Sequence, residues 1–226
     1  MLDGIARPLL VSAMTGFQRA RQPEQIHQRR AQLLSAAAEL FDADGPNGAG
    51  LNAIAARAGF TKSNVYRYFE SREQVLLELF QQEFARLTEA MEQAISSTGS
   101  GDAGSLADTM ATTFLAHPRC CALMAILSST LEQNVSEETI AHLKMFMSDQ
   151  SRRIVGALQA RIPSASAEDC AWAVAMAGSL LAGMWPGAHP PPAARSVLAR
   201  PDYAHLRMDM ARDLPRAIRA LLDSIV

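Results

Sequence analysis

Cysteine is scarce: three in 226 residues, two of them adjacent, Cys120 and Cys121. That excludes a disulfide-framework fold and suits a reducing compartment, the cytoplasm. Adjacent cysteines are poorly spaced for a mutual bridge. There is no C-x-x-C pair and the five histidines are scattered, so no metal is expected. Aromatic residues make up only 6% and charged residues 19%. The formal net charge of −2 excludes a globally basic nucleic-acid coat protein but not a local basic face. No apolar run reaches the roughly 18 residues of a membrane span, so no membrane role is expected. Strand-like alternation, internal repeats and a glycine-rich phosphate loop are all missing. No Ser/His/Asp, paired-carboxylate or metal constellation stands out, so the reading is non-enzymatic, with no cofactor.

What is present is apolar bulk, 49% of residues, enough for a sizeable core. Charge is uneven along the chain. Residues 17–72 hold eight Lys/Arg against five acids, and residues 73–226 hold twelve against seventeen. A basic head on an acidic body suggests that the head alone meets an anion.

The pattern is helical throughout. Leu33, Leu34, Ala37, Ala38, Leu40 and Phe41 form a stripe of helical period over Glu24–Phe41, behind Pro23 at a helix start. The breaker cluster 44–50 ends it. Leu51–Ala58 is a short second helix, 59–61 a turn, and Lys62–Tyr68 a third helix with Thr61 as N-cap. Ser71 caps a long fourth helix. After a Ser/Gly/Thr linker at 96–104, helices are expected at 106–116, 120–132, 136–162, 167–185 and 202–224. Stops fall at Pro118, Asn134, Pro163 and Pro186, a proline-rich loop spans 186–201, and Pro215 kinks the last helix. The fold class is all-α with about nine helices. The expected division is a disordered extension over 1–22, with the functional chain starting near Met14, then a head over 23–71 and a helical body over 72–226.

Two short helices joined by a three-residue turn with Gly59 form a helix-turn-helix. Ala55 is small enough for a close crossing, Gly59 suits a positive φ, and Val65 faces inward. The run Ile54-Ala55-Ala56-Arg57-Ala58-Gly59-Phe60-Thr61-Lys62-Ser63-Asn64-Val65-Tyr66-Arg67-Tyr68-Phe69, with Leu33-Leu34 and Glu39-Leu40-Phe41 upstream, resembles the TetR family of bacterial transcriptional regulators. The resemblance implies a third helix entering the major groove of an operator. Thr61, Lys62, Ser63 and Asn64 would stand at its leading end. Tyr66, Tyr68 and Arg67 would touch the phosphate backbone, with Arg67 also able to reach bases. The family usually has Ser or Thr before the second helix; here it is Gly50, and Asn52 is expected to substitute for the missing hydroxyl.

The resemblance also implies a body that encloses a ligand cavity and a homodimer formed by the last two helices. Helix 167–185 is rich in Ala and Gly, which permits close helix approach. Met and aromatic residues nominate Phe84, Phe114, Met124, Leu127, Phe146, Trp172 and Met176 as ligand contacts. The same stripe is also what an ordinary core would show. The expected function is a homodimeric repressor released by a small apolar or aromatic effector. The alternative is a DNA-binding dimer without a small-molecule effector, controlled by a protein partner.

Overall fold

The computed structural model describes residues 13–99 and 102–226, with side chains from Glu24 onward. Ten α-helices occur among them, and the chain divides into two compact units at Glu70/Ser71.

The head contains α1 (Ala13–Asp44), α2 (Leu51–Ala58) and α3 (Lys62–Val65). The predicted stripe of α1, from Leu33 to Phe41, is buried, and Ile54, Ala55, Val65 and Phe69 are buried with it. Phe69 is thus a core residue. Helix α1 starts before the expected Glu24: its backbone is helical from Ala13, and Pro23 lies inside it. The neighbours of Pro23 are Gln, Arg, Ala and Glu, good helix formers, so one missing N–H does not set the boundary. The expectation for residues 1–12 lies outside the described residues. At the other end Gly45 adopts φ 67° and donates its N–H to the Phe41 carbonyl at 2.9 Å, closing the helix.

The body contains α4 (Arg72–Ser97), α5 (Ala103–Leu115), α6 (Pro118–Ile126), a π-turn (Leu127–Leu131), α7 (Glu137–Gln159), α8 (Ala167–Ala188), α9 (Pro192–Leu198), a 3-10 turn (Pro201–Leu206) and α10 (Met210–Asp223). Five of its helices have side-chain N-caps, α5 through Asp102, which accepts the amides of Gly104 and Ser105. Ser71, Ser136 and Ser166 accept the amides of Gln74, Thr139 and Asp169, and Asp209 accepts those of Ala211 and Arg212. Helix α4 packs on α5, α6 and α7, α8 packs on α6 and α7, and α10 packs on α5 and α8. The core runs along the inner faces: Phe80, Leu87, Met91 and Ile95 of α4, Leu106 and Met110 of α5, Leu123 of α6, Leu158 of α7, Leu181 of α8, and Ile218 and Leu222 of α10. Glu83 of α4 is buried among them, and Arg86 and Arg119 hold it at 2.7 and 2.9 Å.

Proline misled the expected boundaries in the last third of the chain. Helix α8 runs past Pro186 to Ala188, because a proline in the last turn forfeits one bond without ending the helix. Within the expected loop Pro192 opens α9, at a position where its missing N–H is no loss. The expected single helix 202–224 is a 3-10 turn followed by α10, separated where Asp209 caps the latter; Pro215 lies inside α10. Helix α8 also corrects the expectation of no membrane-length apolar stretch: by length and composition it could cross a membrane. Its contacts with α6, α7 and α10 place it in the helical body.

Candidate functional site

The head presents its polar residues on a frame set by local hydrogen bonding. Helix α2 begins at Gly50, which is extended (φ −75°, ψ 150°) and offers no side-chain cap. It ends in a Schellman motif: the amide of Gly59, at φ 73°, donates to the Ala56 carbonyl, and the Phe60 amide to Ala55 at 2.8 Å. Thr61 is the N-cap of α3 through its carbonyl, which accepts the amides of Asn64 and Val65. The Thr61 hydroxyl instead meets Ser63 Oγ at 3.1 Å. The expected helix Lys62–Tyr68 is α-helical only to Val65. Beyond it the Arg67 and Tyr68 amides reach back three residues, to Asn64 and Val65, which tightens the turn. Arg30 of α1 secures this end: its Nη1 donates to the Tyr68 carbonyl at 3.0 Å, and its guanidinium lies 4.4 Å over the Phe69 ring.

Of the residues expected to meet DNA, Asn52, Thr61, Lys62, Ser63, Tyr66 and Arg67 are exposed, and Asn64 and Tyr68 are half-buried. The Lys62 ammonium stands 5.9 Å over the Tyr66 ring, so the two share one patch.

The body holds a cavity of about 640 Å³. Its walls come from Phe84 and Leu87 of α4, Phe114 of α5, Met124 of α6 and Leu127 of the π-turn. Further residues are Met147, Ser148, Ser151, Arg152, Ile154 and Val155 of α7 and a run of small residues on α8. Phe84, Phe114, Met124 and Leu127 were legible as candidates and line it. Phe146 does not line it, but stands edge-on to Phe84 at 6.4 Å between ring centroids.

Trp172 and Met176, also expected as ligand contacts, do not line this cavity. Helix α8 has three faces. Cys170, Ala173, Ala177, Leu181 and Trp185 form the buried one. Ala171, Val174, Ala175, Gly178 and Ala182 border the cavity. Trp172, Met176, Leu180 and Gly183 follow a third helical stripe, on which Trp172 is 46% and Leu180 37% exposed. Apolar periodicity marks stripes, but not which stripe borders a hollow.

Residues missed in the sequence include Leu87, Ile154, Val155 and a polar group on α7, Ser148, Ser151 and Arg152. The signal was a break in apolar periodicity on α7, three polar residues one turn apart.

Cys120 and Cys121 are fully buried. Burial pushes both thiols well above their ordinary range, Cys121 to about 12. Their thiolates are therefore not available at neutral pH. Among the described residues no group of His, Cys, Asp or Glu could hold a metal ion.

The model for bacterial regulatory proteins of the tetR family matches residues 33–79. That for the tetracyclin repressor-like C-terminal domain matches residues 78–223. A curated relative, the HTH-type transcriptional activator FasR of Mycolicibacterium smegmatis, is 38% identical over 71 residues. That match spans 31% of this chain and about a third (32%) of FasR. Among solved structures, the fatty acid degradation regulator FadR of Bacillus halodurans superposes with a TM-score of 0.55 at 17% identity, covering 86% of this chain and 94% of that one. FadR of Bacillus subtilis, solved in complex with stearoyl-CoA, gives 0.52 at 18% identity, covering 87% and 98%. At those identities the likeness is one of fold. Since the two family matches together take in the helix-turn-helix and nearly all of the body, the chain belongs to the TetR family of DNA-binding transcriptional regulators, which are not enzymes.

Proposed function

We propose that the protein is a homodimeric, cytoplasmic repressor released from its operator by a small apolar effector bound in the body. The observation that carries this reading is the cavity of about 640 Å³ in a chain whose head is a helix-turn-helix. Its volume lies within the roughly 300–1,000 Å³ usual for small-molecule sites. Its aromatic and Met side chains suit an apolar occupant, and an acyl chain such as the Bacillus subtilis regulator holds would meet Phe84, Phe114 and Met124.

On the DNA side, Lys62 and Tyr66 stand in one exposed patch with Thr61 and Ser63. Phosphate contacts from Tyr66 and Arg67 would fix register, and Lys62 and Asn64 would address bases. The dimer would form through α8 and α10, with the outer stripe Trp172, Met176 and Leu180 buried between protomers. An effector favours release only by as much as it binds the released arrangement more tightly.

Fluorescence-anisotropy titration with DNA from the gene's own upstream region, across a salt series, tests this reading. The expected result is tight binding to one palindromic site by two protomers, with a steep salt slope, reversed by an apolar effector. Weak binding indifferent to sequence would overturn the operator role. Tight binding that no apolar compound reverses, or moves in thermal-shift assays, would leave the head's role standing and overturn the effector.

A further inference from the structure

The cavity is not uniformly apolar. Its apolar wall comes from Phe84, Leu87, Phe114 and Met124 of α4 to α6 and from Met147, Ile154 and Val155 of α7, with single hydroxyls from Ser128 of the π-turn and Ser179 of α8. Its one charged residue and two of its hydroxyls come from a single turn of α7: Ser148, Ser151 and Arg152, at i, i+3 and i+4, so their side chains share one face. Ser148 and Arg152 are exposed and Ser151 is half-buried, which places them at the opening. No lining residue is acidic. One end of an occupant therefore meets hydrocarbon and the other meets donors and one positive charge.

We propose that the effector is an amphiphile carrying a single carboxylate, its chain against Phe84, Phe114 and Met124 and its head on Ser148, Ser151 and Arg152. This rests on the cavity being the effector site. Guanidinium and carboxylate match in planar, bidentate geometry. One cation balances one negative charge; a dianionic head would leave a charge unmatched at a partly apolar site. Arg152 already pairs with Asp149, three residues before it on α7. Both side chains are largely exposed, and exposed ion pairs are weak, so an incoming carboxylate can displace Asp149.

The test uses the full chain and three ligands of equal chain length: dodecanoate, dodecanol and dodecylammonium, each below its micellar concentration. Binding is measured by calorimetry on the wild type and on Arg152→Gln. The expected result is dodecanoate tighter than dodecanol by about fivefold, the upper range of an exposed ion pair, and dodecylammonium weakest. In Arg152→Gln the advantage of the acid falls to within about twofold. Equal affinity for acid and alcohol in the wild type would overturn the anionic head while leaving an apolar effector in place. An acid preference that survives Arg152→Gln would overturn the assignment to Arg152. If none of the three binds, the cavity is not an apolar effector site, and both readings fall. Met124→Trp, which fills the cavity, is expected to abolish binding of acid and alcohol alike; binding that persists would place the amphiphile elsewhere.

Discussion

At the scale of single residues, the head assigns separable tasks to neighbouring side chains. Tyr66 is 49% exposed and shares its patch with Lys62. Tyr66→Ala is expected to weaken binding to operator and to unrelated DNA by a similar factor, because a phosphate contact holds no sequence information. Lys62→Ala is expected to relax specificity and to lower the slope of log affinity against log salt by about one. Anisotropy titrations on matched and scrambled duplexes read both effects, and equal losses on both duplexes for Lys62→Ala would remove it from base readout. Gly50 sits at the α2 N-cap with no side-chain bond and open space where a Cβ would lie. Gly50→Ser is therefore expected to stabilise the protein by a few tenths of a kcal/mol, read as a small rise in the urea midpoint. Much of this was legible in the sequence, because the turn chemistry is local. Gly59 with Thr61 two residues on determines where α2 stops and α3 starts, whatever packs around them. What was not legible is the tightening after Val65, since it depends on Arg30, 38 residues away, holding the Tyr68 carbonyl.

At the scale of elements, ties between helices carry the energetics. Glu83 is 8% exposed at its side chain, and Arg119 is the link that joins it from α4 to α6. Arg119→Ala leaves the carboxylate with Arg86 from its own helix and is expected to cost about 1–3 kcal/mol in urea denaturation. Glu83→Gln keeps the shape without the charge and should separate the ionic share from the packing share. Acid sensitivity is expected at the start of α10. Arg212 beside Asp213, together with the Asp209 amide, holds the Asp213 carboxyl down to about 2. A depressed carboxyl stabilises the fold above the unfolded value near 4 and loses that contribution as pH falls through the folded value. The first turn of α10 should therefore loosen between about pH 4 and pH 2, seen as faster amide exchange there, and Asp213→Asn should remove that dependence. Element boundaries are legible where a side-chain cap marks them, as at Ser71 and Ser136. They are poorly legible where proline is the only signal, as at Pro23 and Pro186. Proline forbids one hydrogen bond, and a helix with enough support elsewhere continues.

At the scale of the whole molecule, α8 borders both the cavity and the proposed partner surface. Leu180→Asp places a charge on the outer stripe, away from the cavity-lining face, and is expected to shift the protein from dimer to monomer in sedimentation velocity. Retained dimerisation would move the interface elsewhere. The helical body was legible as a class, because periodicity and breakers repeat along the chain. The cavity was legible only in part: its lining includes the expected Phe84, Phe114, Met124 and Leu127, whereas Trp172 and Met176 lie on another face of α8. A hollow is a property of several helices at once, and one helix's sequence reports only its own faces.

The π-turn at Leu127–Leu131 closes with the Glu132 amide on the Leu127 carbonyl at 3.1 Å, a span of five residues. A π-turn holds one residue more than an α-helical turn of the same height. Its first two residues, Leu127 and Ser128, lie on the cavity wall. Deleting Ser129 would return the segment to ordinary α-helix and rotate everything before it by about 100° relative to everything after it. That rotation would change which side chains reach the cavity, so the shape of the hollow depends on one residue of this turn as much as on the side chains that line it.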